Sequence, residues 1–120
     1  PAATVVLLRD AASSCEVLLL RRNSQLAFHG GAWVFPGGRI DPGDFGPSSD
    51  DLVEAARRAA VREAAEEAGV LIAPDDLHLI SRWITPETLP KRFDTWFFVA
   101  PTSGDRVQVD GGEIHDHQWV

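Results

Sequence analysis

An α/β domain is predicted by three features of the 120-residue sequence. Short runs rich in Val, Leu, Ile, Phe and Trp recur along the chain, each bounded by Gly, Pro, Ser or Asp, as strands are. One central stretch carries 3.6-residue apolar periodicity over several turns, as an amphipathic helix does. Strands lie on both sides of that single helix, which gives α/β, or α+β if the layers segregate. The length fits one domain, 1–120, around one core.

The elements follow in order. Residues 3–10, ATVVLLRD, and 15–22, CEVLLLRR, are β-prone runs separated by AASS, a hairpin or two adjacent strands. Cys15 opens the second run and is expected to be a buried, inert thiol. Residues 23–31, NSQLAFHGG, form a loop punctuated by Gly30 and Gly31. In 32–41, AWVFPGGRID, Trp33, Val34 and Phe35 favour a strand that Pro36 ends, and Gly37 and Gly38 are expected to turn the backbone tightly. Residues 42–50 are a second loop, rich in Gly, Pro and Ser.

The helix is expected from Asp50 or Asp51 to Ala68, with Ser48 or Ser49 as N-cap, aspartates at its positive end and Gly69 at C′. Val53, Ala56, Ala60 and Ala64 form its apolar stripe, small enough for close approach to a sheet. Residues 77–85, LHLISRWIT, and 92–100, RFDTWFFVA, are two further strands joined by PETLPK. Residues 101–112 are mainly loop, with a short strand at 106–109, RVQV. Residues 113–120, EIHDHQWV, are the last strand.

Composition narrows the function. Hydrophobic residues at 44% and charged residues at 24% are ordinary for a globular domain rather than a disordered one. A net charge of -7 argues against a nucleic-acid backbone or an anionic membrane as the main partner. It does not exclude a small phosphorylated substrate, because a bound cation inverts the local sign. A single cysteine permits no intrachain disulfide and fits a reducing, cytoplasmic location. No apolar run approaches the ~18 residues of a membrane span, and no signal peptide is recognisable. The first residue is Pro1 rather than Met, so a trimmed N-terminus is expected.

Residues 62–70, REAAEEAGV, carry the chemistry. Glu63, Glu66 and Glu67 stand at i, i+3 and i+4, so they share a helix face, where like charges repel. That crowding is tolerable if the carboxylates hold a hard divalent cation, and oxygen donors without cysteine suit Mg²⁺ or Mn²⁺ rather than structural zinc. Such a cation bridges phosphate oxygens and acidifies a bound water, whose proton a nearby glutamate can accept. Arg62 can fix a glutamate through a bidentate pair. The plain alternative is a solvated acidic helix with a glycine cap. It suffices for the adjacent glutamates alone but not for the whole spaced set.

PGGRID at 36–41 and REAAEEAG at 62–69 together resemble the Nudix box, whose spacing is G-x5-E-x7-R-E-U-x-E-E-x-G-U with U apolar. The matching residues are Gly38, Arg62, Glu63, Ala64, Glu66, Glu67, Gly69 and Val70, and the strand order around them fits nearly the whole chain. The box is stretched by about ten residues: six on from Gly38 is Asp44, and eight back from Arg62 is Glu54. Asp44 is taken as the loop acid of the box. Glu54 points away from Glu63 on a helix and can pair with Arg58 instead.

The resemblance implies a Nudix fold, a mixed β-sheet sandwiched by helices, and a Mg²⁺ or Mn²⁺ cofactor. It places Glu63, Glu66, Glu67 and Gly38 at the metal and Arg62, Glu63, Glu66 and Glu113 in catalysis, with the general base open. Some members add an acid six positions before a late Trp. Glu113 stands so before Trp119, with Asp116 as the alternative; otherwise Glu113 caps the turn after Gly111 and Gly112. His115 and His117 flank Asp116 on one strand face, as surface histidines or as a second metal site. His29 is a minor candidate substrate contact, and His78 is structural. Trp33, Trp83, Trp96 and Trp119 are expected in or near the core, while Trp83 and Phe93 are also placed to stack on a base.

Two segments point to a substrate class. GAWVFPGG at 31–38 matches G-x3-F-P-G-G of coenzyme A-cleaving members, although Ala27 stands where their pattern has Arg. WITPETLPKRFDTWFF at 83–98 resembles a segment of acyl-coenzyme A diphosphatases. The implied substrate contacts are Gly37, Arg39, Trp83, Arg92 and Asp94, and a salt bridge is the alternative role for Arg92 and Asp94. Coenzyme A or an acyl ester is the implied substrate, split by water to 3′,5′-ADP and a phosphopantetheine. ADP-ribose, a dinucleotide, a nucleotide sugar or an oxidised nucleoside triphosphate stay open. So does a non-catalytic binding module, which should have lost part of the glutamate set. Family domains usually add a helix after the last strand to cover the sheet's other face. The sequence stops at Val120 without one, so a C-terminally truncated domain, or a homodimer covering that face, is expected.

Overall fold

Burial alternates along residues 2–8, with Ala3, Val5 and Leu7 fully enclosed, and this run forms the central strand. The structure is a computed structural model that describes residues 1–12, 14–25, 30–46, 51–86, 88, 93–102 and 107–120. Its strands and helix in chain order are β1 (Ala2–Asp10), β2 (Cys15–Arg22), β3 (Trp33–Val34), β4 (Gly37–Arg39), α1 (Leu52–Ala68), β5 (His78–Ile84), β6 (Asp94–Pro101) and β7 (Ile114–Trp119). Short 3-10 turns at Pro42–Asp44 and Pro74–Asp76 flank the helix.

The sheet is mixed. One edge of β1 pairs antiparallel with β2 through Leu8 and Val17, and with β4 through Thr4 and Gly37. The other edge runs parallel to β6, with Val5 opposite Phe98. β6 carries β5 antiparallel as the outer strand, and β2 carries both β3 and β7. The helix packs on one face, where Ala56, Ala59, Ala60, Ala64 and Ala68 meet the core of Val5, Leu7, Leu18, Phe98 and Ile114. The buried stripe is wider than expected, because Ala55 and Ala59 join it while Val53 is only half-buried. Among the described residues α1 is the one long helix, and it covers one face of the mixed sheet.

Local chemistry sets the helix ends. Asp51 is the N-cap, its carboxylate accepting from the amides of Val53 and Glu54. The expected caps Ser48 and Ser49 lie outside the described residues, with Asp50. Gly69 closes the helix at φ 67°, its amide donating to the Ala64 and Ala65 carbonyls.

Several expectations are corrected. Gly37 and Gly38 do not turn; they are strand residues of β4, and Pro36 makes the bend before them. Residues 107–109 form no strand, and 103–106 lie outside the described residues. Cys15 is exposed, because it sits at the open end of the β1–β2 pair opposite Asp10. Glu54 pairs with Arg57 at 3.4 Å rather than with Arg58. Trp96 is buried and Trp119 half-buried, but Trp33 and Trp83 are exposed, since β5 has a partner on one side only and β3 spans two residues. No described helix is long and apolar enough to cross a membrane.

Candidate functional site

The site forms where α1 meets β4. A side chain at position 37 would put Cβ 2.4 Å from the Ala3 carbonyl oxygen and 2.9 Å from the Thr4 Cα, so only glycine lets β4 lie this close to β1. At position 38 a Cβ would meet the Glu63 carboxylate at 2.6 Å. The glycine pair therefore provides close packing of strand on strand and of strand on carboxylate.

The three helix glutamates have separate environments. Glu67 is 3% exposed, and its Oε1 accepts from the Gly37 amide at 2.9 Å. Burial pushes its carboxyl up to about 8 against the Gly37 hydrogen bond, with help from the charges of Glu63, Glu113 and Asp110. Glu63 is largely enclosed and also raised, chiefly by burial; the Arg62 charge and hydrogen bond oppose this, and Glu66 and Glu113 add to it. Glu66 is exposed, 3.5 Å from Arg62 Nη1. One shared face thus holds one buried, one largely enclosed and one solvated carboxylate.

Arg62 joins the loop to the helix. Its Nε and Nη2 grip both oxygens of Asp44 at 3.1 and 3.0 Å, Nη2 donates to the Arg39 carbonyl at 3.0 Å, and Nη1 reaches Glu63 Oε1 at 2.9 Å. Asp44 also accepts from the Asp41 amide at 2.7 Å. Burial alone would raise its carboxyl, but the Arg62 bonds, that amide and the charges of Arg62 and Arg58 outweigh it and hold the group below 3.8. The same contacts push the Arg62 pKa upward.

A pocket of 460 Å³ opens in front of this frame, lined by Gly37, Gly38, Arg39, Glu63 and Glu113, with Thr4, Arg22 and Phe93 on its walls. Glu113 is exposed. The capping role weighed for it falls to Asp110, whose Oδ1 accepts from the Gly112 and Ile114 amides at 3.0 Å each. Asn23 fixes the segment, its amide donating to the Glu113 carbonyl at 2.7 Å.

Other candidates are elsewhere. Asp94 is bound by Arg82 at 2.8 and 2.6 Å, and Arg82 stacks on Trp96, so Asp94 is held on the outer strand pair rather than in the pocket. Trp83 is 68% exposed on β5 and does not line the pocket. Arg92 and His29 lie outside the described residues. Among the described residues no three His, Cys, Asp or Glu side chains form a ready metal cage, at Asp116 or at the helix glutamates.

The donor set nevertheless fits a hard divalent cation, because Glu63, Glu67 and Glu113 are all oxygen donors, and the two enclosed ones are raised chiefly by burial and further by neighbouring carboxylates. Thr4 and Arg22 were missed in the sequence. Alternation along β2 was the available signal for Arg22, since it follows the buried Leu18 and Leu20 on the same side.

A family model described as NUDIX domain matches residues 1–120. A search of curated proteins found no match. Among solved structures, a NUDIX hydrolase from Alicyclobacillus acidocaldarius is 31% identical, with a TM-score of 0.82 over 99% of this chain and 77% of that one. An Ap4A hydrolase binary complex from C. elegans is 26% identical, with a TM-score of 0.60 over 99% of this chain and 78% of that one. The NUDIX domain of Shewanella oneidensis NrtR, complexed with ADP ribose, shares the fold at 19% identity, with a TM-score of 0.75 over 98% of this chain and 70% of that one.

Proposed function

Because this chain belongs to the NUDIX family and is a hydrolase of phosphoanhydride bonds, we propose that it cleaves the diphosphate of a nucleoside diphosphate linked to another group, with coenzyme A or an acyl-coenzyme A as the leading substrate. The observation that carries the reaction is the pocket in which the Glu63 and Glu113 side chains meet the Gly37–Arg39 strand. Glu63, Glu66, Glu67 and Glu113, with the backbone at Gly38, would hold Mg²⁺ or Mn²⁺. When bound, that cation supplies charge neutralisation for the diphosphate and an acidified water.

The chain's own groups do the rest. Arg62 orients Glu63, and Asp44 orients Arg62. Glu63 faces the pocket with a raised carboxyl and is suited to accept a proton from the attacking water, with Glu113 as the other carboxylate lining the pocket and Glu66 exposed beside Arg62. The water oxygen adds to one phosphorus, the bridging P–O bond breaks, and the leaving phosphate carries the displaced electron pair. Coenzyme A gives 3′,5′-ADP and phosphopantetheine. Support for that substrate is the resemblance of 31–38 and 83–98, whose Phe93 lines the pocket. ADP-ribose is the second reading, favoured by the ligand of the S. oneidensis domain.

A Mg²⁺-dependent hydrolysis screen of coenzyme A, acetyl-coenzyme A, ADP-ribose, dinucleotides and nucleoside triphosphates, with product masses, tests the proposal. Turnover of coenzyme A to 3′,5′-ADP is expected. No turnover of any of them with the metal bound would replace the enzyme by a binding module. Glu66→Gln and Glu67→Gln are each expected to abolish metal-dependent turnover while the far-ultraviolet dichroism stays unchanged. Full activity in both variants overturns the site.

A further inference from the structure

We propose that a second pocket beside the first, lined by Arg21, Arg22, Ser24, His115 and Asp116, binds a phosphomonoester that the substrate carries away from its cleaved diphosphate. The pocket has a volume of 270 Å³ and adjoins the diphosphate pocket at Arg22, which lines both. The proposal rests on the diphosphatase reading for the first pocket and adds the anion that the second one selects.

A strand normally sends neighbouring side chains to opposite faces. Here Arg21 and Arg22 nevertheless both line one pocket, at the point where the β2–β7 register shifts. Arg21 is opposite Asp116 and Arg22 is opposite Ile114, which leaves His115 as the extra residue of a bulge. The pocket brings two arginines, a histidine and Ser24 together. Asp116 is the single carboxylate among them, and its Oδ1 already accepts from the His117 amide at 2.8 Å.

The arginines are uncommitted. Arg57, Arg58, Arg62 and Arg82 all bond to acceptors within the protein. The Arg21 and Arg22 side chains have no such bond among the described residues, and Arg22 Nε is buried without a partner. A buried guanidinium donor without an acceptor is costly, and a tetrahedral dianion offers several oxygens to two adjacent guanidinium groups. In a chain of net charge -7, this notch is a local basic exception next to an acidic site.

Equilibrium titration of 3′,5′-ADP and of 5′-AMP, in Mg²⁺, reads the subsite without turnover. The unaltered chain is expected to bind 3′,5′-ADP about tenfold or more tightly than 5′-AMP, the size of one charge-assisted contact. Arg21→Gln and His115→Ala lie outside the diphosphate pocket and should shrink that ratio while leaving 5′-AMP binding unchanged. If coenzyme A is turned over, its KM should rise in Arg21→Gln while that of 3′-dephospho-coenzyme A does not. Equal binding of the two nucleotides by the unaltered chain, or a ratio that Arg21→Gln leaves intact, overturns the subsite. Loss of turnover on every substrate with the binding ratio preserved would refute the diphosphatase reading alone.

Discussion

At the scale of single residues, Arg62 is the part of the site that the rest depends on. Its guanidinium is shared among Asp44, Glu63 and the Arg39 carbonyl, so the loop acid sets the orientation of a pocket carboxylate at one remove. Asp44→Asn removes the charge but keeps the shape. The pair is enclosed at Asp44 and partly open at Arg62, with side-chain exposures of 7% and 27%, so its loss should cost about 2–3 kcal/mol rather than the full value of a buried pair. The Asp44 carboxyl is held below 3.8, so its contribution is present above that pH and is lost as pH falls through its lower folded value. Melting curves of the two proteins should therefore differ at neutral pH and converge in acid. The kcat of Asp44→Asn should fall by about 10- to 100-fold with KM little changed, since Asp44 acts through Arg62 and does not line the pocket. An unchanged kcat would refute the positioning role.

Elements differ in how far the sequence alone predicts them, and the reason is the range of the contacts that define each one. The α1 boundaries were legible within one or two residues because Asp51 and Gly69 act on amides and carbonyls a few positions away. β4 was not legible. A Gly-Gly-Arg run has almost no strand propensity, and its reason to be extended is the backbone of β1, more than 30 residues earlier in sequence. The two glycines consequently predict opposite outcomes. Gly37→Ala sets Cβ against the Ala3 carbonyl oxygen and the Thr4 Cα, backbone atoms that cannot yield, so β4 should detach with a marked loss of melting temperature. Gly38→Ala meets only the end of the Glu63 side chain, which can swing aside. It should melt near the unaltered chain yet lose most of its turnover, because Glu63 leaves its place beside Arg62. Equal melting losses in the two variants would refute this division between strand packing and carboxylate placement.

Across the whole molecule, the helix residues of the box could be found because their spacing is local, and Arg39, Phe93 and Glu113 were named from the sequence, whereas Thr4 and Arg22 on the pocket walls were not. Thr4 and Arg22 come from β1 and β2, Phe93 directly precedes β6, and Glu113 lies in a loop held beside Asn23; only the sheet topology unites them. The same topology encloses negative charge, and that has a global consequence. Glu67 has its ordinary value of 4.5 in the unfolded chain and about 8 in the folded one. Between these limits the unfolded chain releases a proton that the folded chain retains, so unfolding gains as pH rises. In chelator, Glu67's stabilising contribution is full below about 4.5, declines through neutrality and is gone above about 8, a loss on the order of a few kcal/mol. Glu63 shifts in the same direction and steepens the decline. A divalent cation competes with those protons, and its stabilisation of the folded state grows with the deprotonated fraction. Melting in chelator from about pH 5 to pH 8.5 should therefore show a falling midpoint. Added Mg²⁺ should restore it more at the alkaline end than at the acid end, and Glu67→Gln should flatten the chelator curve while still accepting the Gly37 amide. A midpoint in chelator that rises across this range, or Mg²⁺ stabilisation that is larger in acid, would show that the enclosed glutamates do not hold the cation.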